Sequence, residues 1–250
     1  MTGGRASTHV LVRVWLPDRP GALGQVASRI GAVRGDIVGV DVLECDGGVA
    51  VDEFAVNLAD GELVDMLVRE IEEVDGASVE EVRVVGHFPD PRLDALESAT
   101  RLCQVQSVAE LHRALAAQVR REFLAEWAAL IEGAGPPVDG VPFDGVPLDG
   151  IPAGGVPEPP VVKTIVLATA GEAPPSADLL AALAVGVAAS PLVASGAAGP
   201  EDLAAAPLPR HGATLLVGRQ GYPFRLRERG QLIALSRIAD RLWDLLTGSA

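Results

Sequence analysis

Hydrophobic residues between positions 9 and 87 change period in a fixed order: two, then the helical spacing, then two twice over, then helical, then two again. Val10, Val12, Val14 and Leu16 alternate along residues 9–16 and predict a strand with one apolar face. Pro17-Asp18-Arg19-Pro20-Gly21 breaks it, and Leu23, Val26, Ala27, Ile30 and Val33 then form a helical stripe that Gly35 is placed to end. Residues 36–44 read as a second strand, Cys45-Asp46-Gly47-Gly48 as a turn, and residues 49–58 as the returning strand of a hairpin. Val64, Leu67, Val68 and Ile71 carry a second helix over 63–74. Val79, Val82, Val84 and Val85 carry a fourth strand over 78–87.

Strand, helix, strand, strand, helix, strand over about 80 residues has few packed solutions. The two helices must cover one face of a four-stranded antiparallel sheet, and right-handed crossovers put the first and third strands in its middle. This predicts an α+β chain whose residues 1–88 form a ferredoxin-like βαββαβ domain. The cores are expected to be aliphatic, since 48% of the chain is hydrophobic but only 4% aromatic.

Pro89-Asp90-Pro91 marks a boundary, and residues 89–250 read as a second domain. Helices are expected over 92–102 and 107–120, the latter opened by a capping box of Ser107 and Glu110. A strand follows over 123–132. Residues 134–160 contain Asp-Gly-Val-Pro-like units repeating every five residues from Asp139, Asp144 and Asp149, which supply turns and extended backbone but no core; they read as a flexible insertion. Strands over 161–169, 202–208 and 213–218, a helix over 177–189 and a closing helix over 227–246 with Leu235, Ile238, Ala239, Leu242 and Leu246 inward complete an α/β unit.

The chain carries 20 basic against 34 acidic residues, a net charge of −14, and residues 1–90 hold 7 Arg against 17 acids, a net of −10. Such a field repels polyanions and argues against a nucleic-acid partner. Lys163 stands alone among arginines in a chain rich in Ala, Gly and Pro, which fits the coding bias of a GC-rich bacterium. Residues 1–8 lack the basic and apolar regions of a secretory signal. Residues 179–199 are uncharged but rich in Ala, Gly and Ser and interrupted by Pro191, so they read as a buried helix and loop and not as a membrane span. A cytoplasmic location is expected. Cys45 and Cys103 have no metal-binding spacing and read as small buried apolar residues.

The strongest candidate site is the turn after the first strand. Pro20 is suited to the first helical turn, Gly21 to a close backbone approach, and the N–H groups of Gly21, Ala22 and Leu23 to attracting a carboxylate. Two readings are open: a ligand site, or plain structure in which Asp18 caps the helix, Pro20-Gly21 shapes the turn, and Asp36 caps a strand end. Asp18-Arg19-Pro20-Gly21-Ala22-Leu23, with Gly35-Asp36-Ile37 opening the next strand, resembles the ACT domain. That family has a βαββαβ fold, a D-x-P-G turn after strand one and often Asn-Ile at the start of strand two. Its members bind amino acids or other small ligands, usually between paired domains whose sheets join edge to edge. The resemblance implies a homodimer and a ligand site drawn from Asp18, Arg19, Pro20, Gly21, Ala22, Leu23, Asp36 and Ile37. Asp36 departs from the family's Asn: ionised, it only accepts hydrogen bonds, so it suits an ammonium and repels a carboxylate.

Near the C-terminus, Gly212 to Glu228 followed by a long helix resembles the end of a GAF domain, a likeness that extends over about residues 92–246. Arg219, Arg225, Arg227 and Arg229 cluster there, either to hold an anion or partner, or as solvated residues paired with Glu228 and Asp240. No catalytic, metal or cofactor motif is present: His9, His87, His112 and His211 are scattered, there is no nucleophile elbow, Walker loop or dinucleotide fingerprint, and the Asp139 series is no calcium loop. The expected protein is a non-enzymatic regulator that binds an amino-acid-like ligand. The alternatives are a ligand-free pairing module, or an enzyme with its site in the C-terminal domain.

Overall fold

A computed structural model describes residues 7–133, 163–189, 203–221 and 223–248. The predicted flexible insertion at 134–160 lies outside them. The chain divides into two compact units, one of Met1–Leu96 with Phe224–Gly230, the other of Glu97–Pro223 with Gln231–Ala250.

The first unit is a four-stranded antiparallel sheet of β1 (Thr8–Pro17), β2 (Asp36–Asp46), β3 (Val49–Leu58) and β4 (Ser78–Val85), in the order β2-β3-β1-β4. Helices α1 (Ala22–Ala32) and α2 (Val64–Glu72) follow β1 and β3, the βαββαβ arrangement the periodicity predicts. Alternation along β1 sends Val10, Val12, Val14 and Leu16 into one core with Phe54, Val56 and Leu58 of β3, Val26 and Ile30 of α1, and Leu67 and Ile71 of α2. Burying each such side chain contributes about 1.5–3 kcal/mol. Two members of the predicted stripes stay outside: Leu23 and Val84 are exposed.

The β2–β3 turn is tighter than predicted. Cys45 and Asp46 remain in β2, and Gly47 and Gly48 alone turn the chain, both at positive φ. Gly35 also acts differently from expectation. Arg34 takes the left-handed conformation that ends α1, and the Gly35 N–H reaches the Ile30 carbonyl at 3.0 Å. Gly35 is needed for close packing: a Cβ there would lie 2.8 Å from Ile30 Cγ2 and 2.9 Å from Val56 Cγ1.

The second unit holds a sheet of β5 (Trp127–Glu132), β6 (Ile165–Gly171), β7 (Leu203–Leu208) and β8 (Ala213–Gly218), in the order β6-β5-β8-β7. Every described pairing in it is antiparallel, so it belongs to the α+β class and not to the α/β class expected. Four consecutive residues of β5, Ala128 to Ile131, are buried, so both faces of that strand are covered. Helix α5 (Ala177–Ala189) packs on Ala129, Ile131 and Leu216. Helix α4 (Val108–Glu122) packs on β5, β6 and β8. Helix α3 (Pro91–Cys103) precedes it, and α6 (Leu226–Gly248) closes the chain. The Ser107 hydroxyl accepts from the Glu110 N–H at 3.3 Å, as the capping box predicts, but Glu110 returns its bond to the Gln106 N–H at 2.8 Å. Residues 123–126 are not strand, and Leu124 turns there at φ 51°. Among the described residues no helix is long and apolar enough to cross a membrane.

Candidate functional site

The β1–α1 turn is fastened to the hairpin beside it. The Asp18 N–H donates to the Gly48 carbonyl at 2.9 Å and the Arg19 N–H to the Pro17 carbonyl at 2.8 Å. Gly21 is the N-cap at φ 91°, its carbonyl accepting from the Gln25 N–H at 3.0 Å. The helix therefore begins at Ala22, and Pro20 precedes the cap instead of entering the first turn. The Ala22 N–H is used internally, donating to the Arg19 carbonyl at 3.2 Å. No side chain caps α1 and no acid lies in its first turn. Residues 18–21 and Leu23 are exposed, and nothing lies within 4 Å of where a Gly21 Cβ would stand. An uncapped helix start with open space beside it is a place where a carboxylate can be bound.

Asp18 does not cap the helix. Its Oδ2 accepts from the Cys45 thiol at 3.1 Å, and that hydrogen bond is the main cause of a raised Cys45 pKa. Both cysteines are exposed, which overturns the expectation that they are buried apolar residues. Cys45 lies near the β2 end of the hairpin, where its thiol meets Asp18 instead of the core.

Asp52 adds a second carboxylate. It lies opposite Val14 and Val42 on the sheet face turned to the helices and is 3% exposed. Burial raises its pKa, with the charge of Asp18 acting in the same direction, and its Oδ1 has no hydrogen-bond partner among the described residues. Sequence reasoning missed it, although a signal existed. Asp52 occupies the same phase as Ala50, Phe54, Val56 and Leu58, so an acid stands where the alternation calls for an apolar residue.

Asp36 and Ile37 do not join this group within one chain. Asp36 pairs with Asn57 and Ile37 with Val56, whereas Pro17 and Asp46 both pair with Val49 at the other end of the sheet. Ten residues of strand at about 3.3 Å each separate the two ends by roughly 30 Å. Asp36 is exposed, and Ile37 packs against the core. At that far end a cavity of about 380 Å³ opens between the end of α1 and the start of α2, lined by Val33, Arg34, Asp60, Glu62 and Met66 among others.

The arginine group is engaged, but largely with partners other than those predicted. Arg219 donates to the carbonyls of Phe123 at 3.0 Å and Pro223 at 2.6 Å, and Arg229 to that of Phe224 at 3.0 Å. Arg225 pairs with Glu44 and Glu80, and Arg227 with Asp41. Of the two acids expected to pair with them, Glu228 accepts from the Arg225 N–H at 2.9 Å, while Asp240 accepts from the Arg210 N–H at 3.4 Å.

Two of the histidines that look scattered in sequence converge in the second unit. His112 of α4 meets Trp243 of α6 edge to face at 4.1 Å, and His211 stacks on the same indole at 4.0 Å. His211 Nε2 lies 3.2 Å from Asp244 Oδ1, and Asp240 is buried beside Arg210. Burial lowers the His112 pKa, with His211 adding to the effect, and raises that of Asp240. No spacing rule could have brought positions 112, 211 and 243 together. Among the described residues no group of His, Cys, Asp and Glu could hold a metal ion.

No family model matches the chain, and no curated protein does. Among solved structures, the chain is similar to the ACT domain of a GTP pyrophosphokinase of Chlorobium tepidum. Its crystal structure is 15% identical at a TM-score of 0.27, covering 32% of this chain and all 100% of that one. Its solution structure is 14% identical at 0.27, covering 34% and 92%. A protein of unknown function from Galdieria sulphuraria is 16% identical at a TM-score of 0.28, covering 54% of this chain and 76% of that one.

Proposed function

We propose that the first unit is an ACT-like sensor of a free amino acid or a similar small zwitterion, and that the protein is a regulator and not an enzyme. The observation that carries this reading is the opening of α1, where an exposed, left-handed Gly21 leaves the helix start without a side-chain cap. A ligand carboxylate is attracted there by the helix dipole and the Leu23 N–H. Asp18 and Asp52 lie near enough for the charge of one to raise the pKa of the other. They disfavour a bare anion and favour a ligand that brings an ammonium as well. Arg19 and Ala22 shape the turn, and Pro20 sets its entry.

Asp36 and Ile37 enter such a site only from a second copy, since they lie at the other end of their own sheet. A homodimer joined along β2 is therefore part of the proposal. That strand is an edge of the sheet and exposes Val38, Val40 and Val42. The second unit is taken as GAF-like and as the element whose pairing or partner the ligand alters. Coupling requires that ligand prefer one arrangement, because equal affinity for two shifts nothing. The acidic charge speaks against a nucleic-acid partner, and the Ala-, Gly- and Pro-rich composition with one Lys among arginines suits a bacterial protein, for which a cytoplasmic location is part of the proposal.

A thermal-shift panel of the twenty amino acids at millimolar concentration tests the proposal, since a ligand bound to the folded form raises its melting temperature. At least one amino acid should raise it, and Asp18→Asn should weaken that response. A flat panel overturns the sensor and leaves the pairing module. A monomer at all concentrations in light scattering overturns the shared site.

A further inference from the structure

The sheet of the first unit has a second face, turned away from α1 and α2, and its composition is unusual. The strand registers set Arg13 opposite Glu53 and Glu81, Asp41 opposite Glu53, and both Trp15 and Glu44 opposite Val51. Glu80 sits at the β4 bulge, and its Oε1 accepts from the Trp15 indole N–H at 2.9 Å. The face is thus acidic around one indole. An open antiparallel sheet face of this kind is normally left to water.

Here it is covered by a segment of the same unit, Phe224–Gly230. The Arg225 guanidinium lies 4.4 Å above the Trp15 ring, pairs with Glu44 at 3.3 Å and with Glu80, and is 4% exposed. Arg227 pairs with Asp41, and Glu228 lies 3.7 Å from Arg13. The segment is shaped in advance by its own helical start, the Arg225 N–H donating to Glu228 at 2.9 Å and the Arg229 N–H to the Arg225 carbonyl at 2.9 Å. A guanidinium over an indole with its two terminal nitrogens paired to separate carboxylates is a recognition geometry that a lysine ammonium cannot reproduce.

We propose that this face is a guanidinium-binding surface, occupied in cis by Arg225 and Arg227, and that a partner polypeptide with the same Arg-x-Arg spacing competes for it. Desolvating a charge pair roughly offsets its attraction, so exchanging one arginine for an equivalent one is close to balanced, whereas vacating the face takes from the half-buried Glu44 and from Asp41 their arginine partners. The chemistry selects a basic, arginine-bearing segment, in keeping with the acidic excess of residues 1–90.

The test uses the full chain and a fluorescent peptide of residues 223–230, read by anisotropy. The variant Arg225→Ala should bind the peptide at least tenfold more tightly than wild type. Adding Glu80→Gln should abolish the gain, and a peptide with lysine in place of Arg225 and Arg227 should bind at least tenfold more weakly. Equal binding to wild type and a folded Arg225→Ala variant, or equal binding of the lysine peptide, overturns the proposal. If Arg225→Ala fails to fold, Glu80→Gln decides it alone by hydrogen exchange. Residues 224–230 should then exchange at least tenfold faster than in wild type while residues 231–248 are unchanged, and unaltered exchange at 224–230 overturns it.

Discussion

The imidazole of His211 lies flat on the indole of Trp243, with ring centroids 4.0 Å apart and planes 8° apart, and His112 meets the same indole from another side. Two histidines 99 positions apart in the chain thus share one aromatic ring, and burial holds His112 toward its neutral form.

A pH dependence follows. Burial holds the folded-state pKa of His112 below its unfolded value of about 6.5, so the fold favours the neutral ring. Its penalty is absent well above pH 6.5 and grows as pH falls through the folded value. Asp240 works in the opposite sense, its raised pKa costing stability as pH rises from about 3.9 through the folded value. Urea unfolding should therefore show a loss of stability between pH 7.5 and 5.5. The slope should flatten in His112→Phe, which keeps an aromatic edge against Trp243. An unaltered slope in His112→Phe contradicts the assignment.

Gly21 is required for its backbone conformation and not for space. At φ 91° any side chain is strained, though a Cβ would meet nothing within 4 Å. Gly21→Ala should lose about 1–2 kcal/mol in chemical denaturation, and Gly21→Asn less, because Asn visits the left-handed region more readily. Loss of stability in neither variant would show that the turn relaxes to another geometry.

Gly218 makes the opposite case. It stands directly across from Trp127 in the β5–β8 register, and the indole occupies the volume a Cβ at 218 would take. Overpacking a strand in this way costs about 1–3 kcal/mol. Gly218→Ala should lower the urea midpoint by that much, and Gly218→Ala with Trp127→Leu should recover part of it. Equal stability of Gly218→Ala and wild type would contradict this packing.

Cys45 is exposed yet should react slowly. The hydrogen bond to Asp18 keeps the thiol protonated above its ordinary range, and the thiolate is the reactive form. Alkylation of Cys45 by iodoacetamide at pH 8, followed by peptide mass spectrometry, should be slower in wild type than in Asp18→Asn by several-fold. Equal rates would mean that the two side chains do not touch in solution.

What a chain can announce in advance is whatever repeats along it. The period-two run Val10, Val12, Val14, Leu16, the helical spacing of Val26 and Ile30, and the Gly47-Gly48 turn are properties of neighbours a few bonds apart, and they suffice for the order β2-β3-β1-β4. Ser107 capping α4 is local in the same sense. The Asp18-Arg19-Pro20-Gly21 break before α1 was legible too, but its inner geometry was not: Pro20 precedes the cap, and Asp18 bonds the thiol of Cys45 from the neighbouring hairpin. Only the tertiary structure decided which distant groups share a space. Sheet register brought Asp52 near Asp18 while leaving Asp36 at the far end, strand pairing set Trp127 against Gly218, and helix packing placed Trp243 between His112 and His211. Each of these depends on pairings between residues far apart in the chain, whose geometry is fixed by closing the whole core and not by the pattern of any one segment.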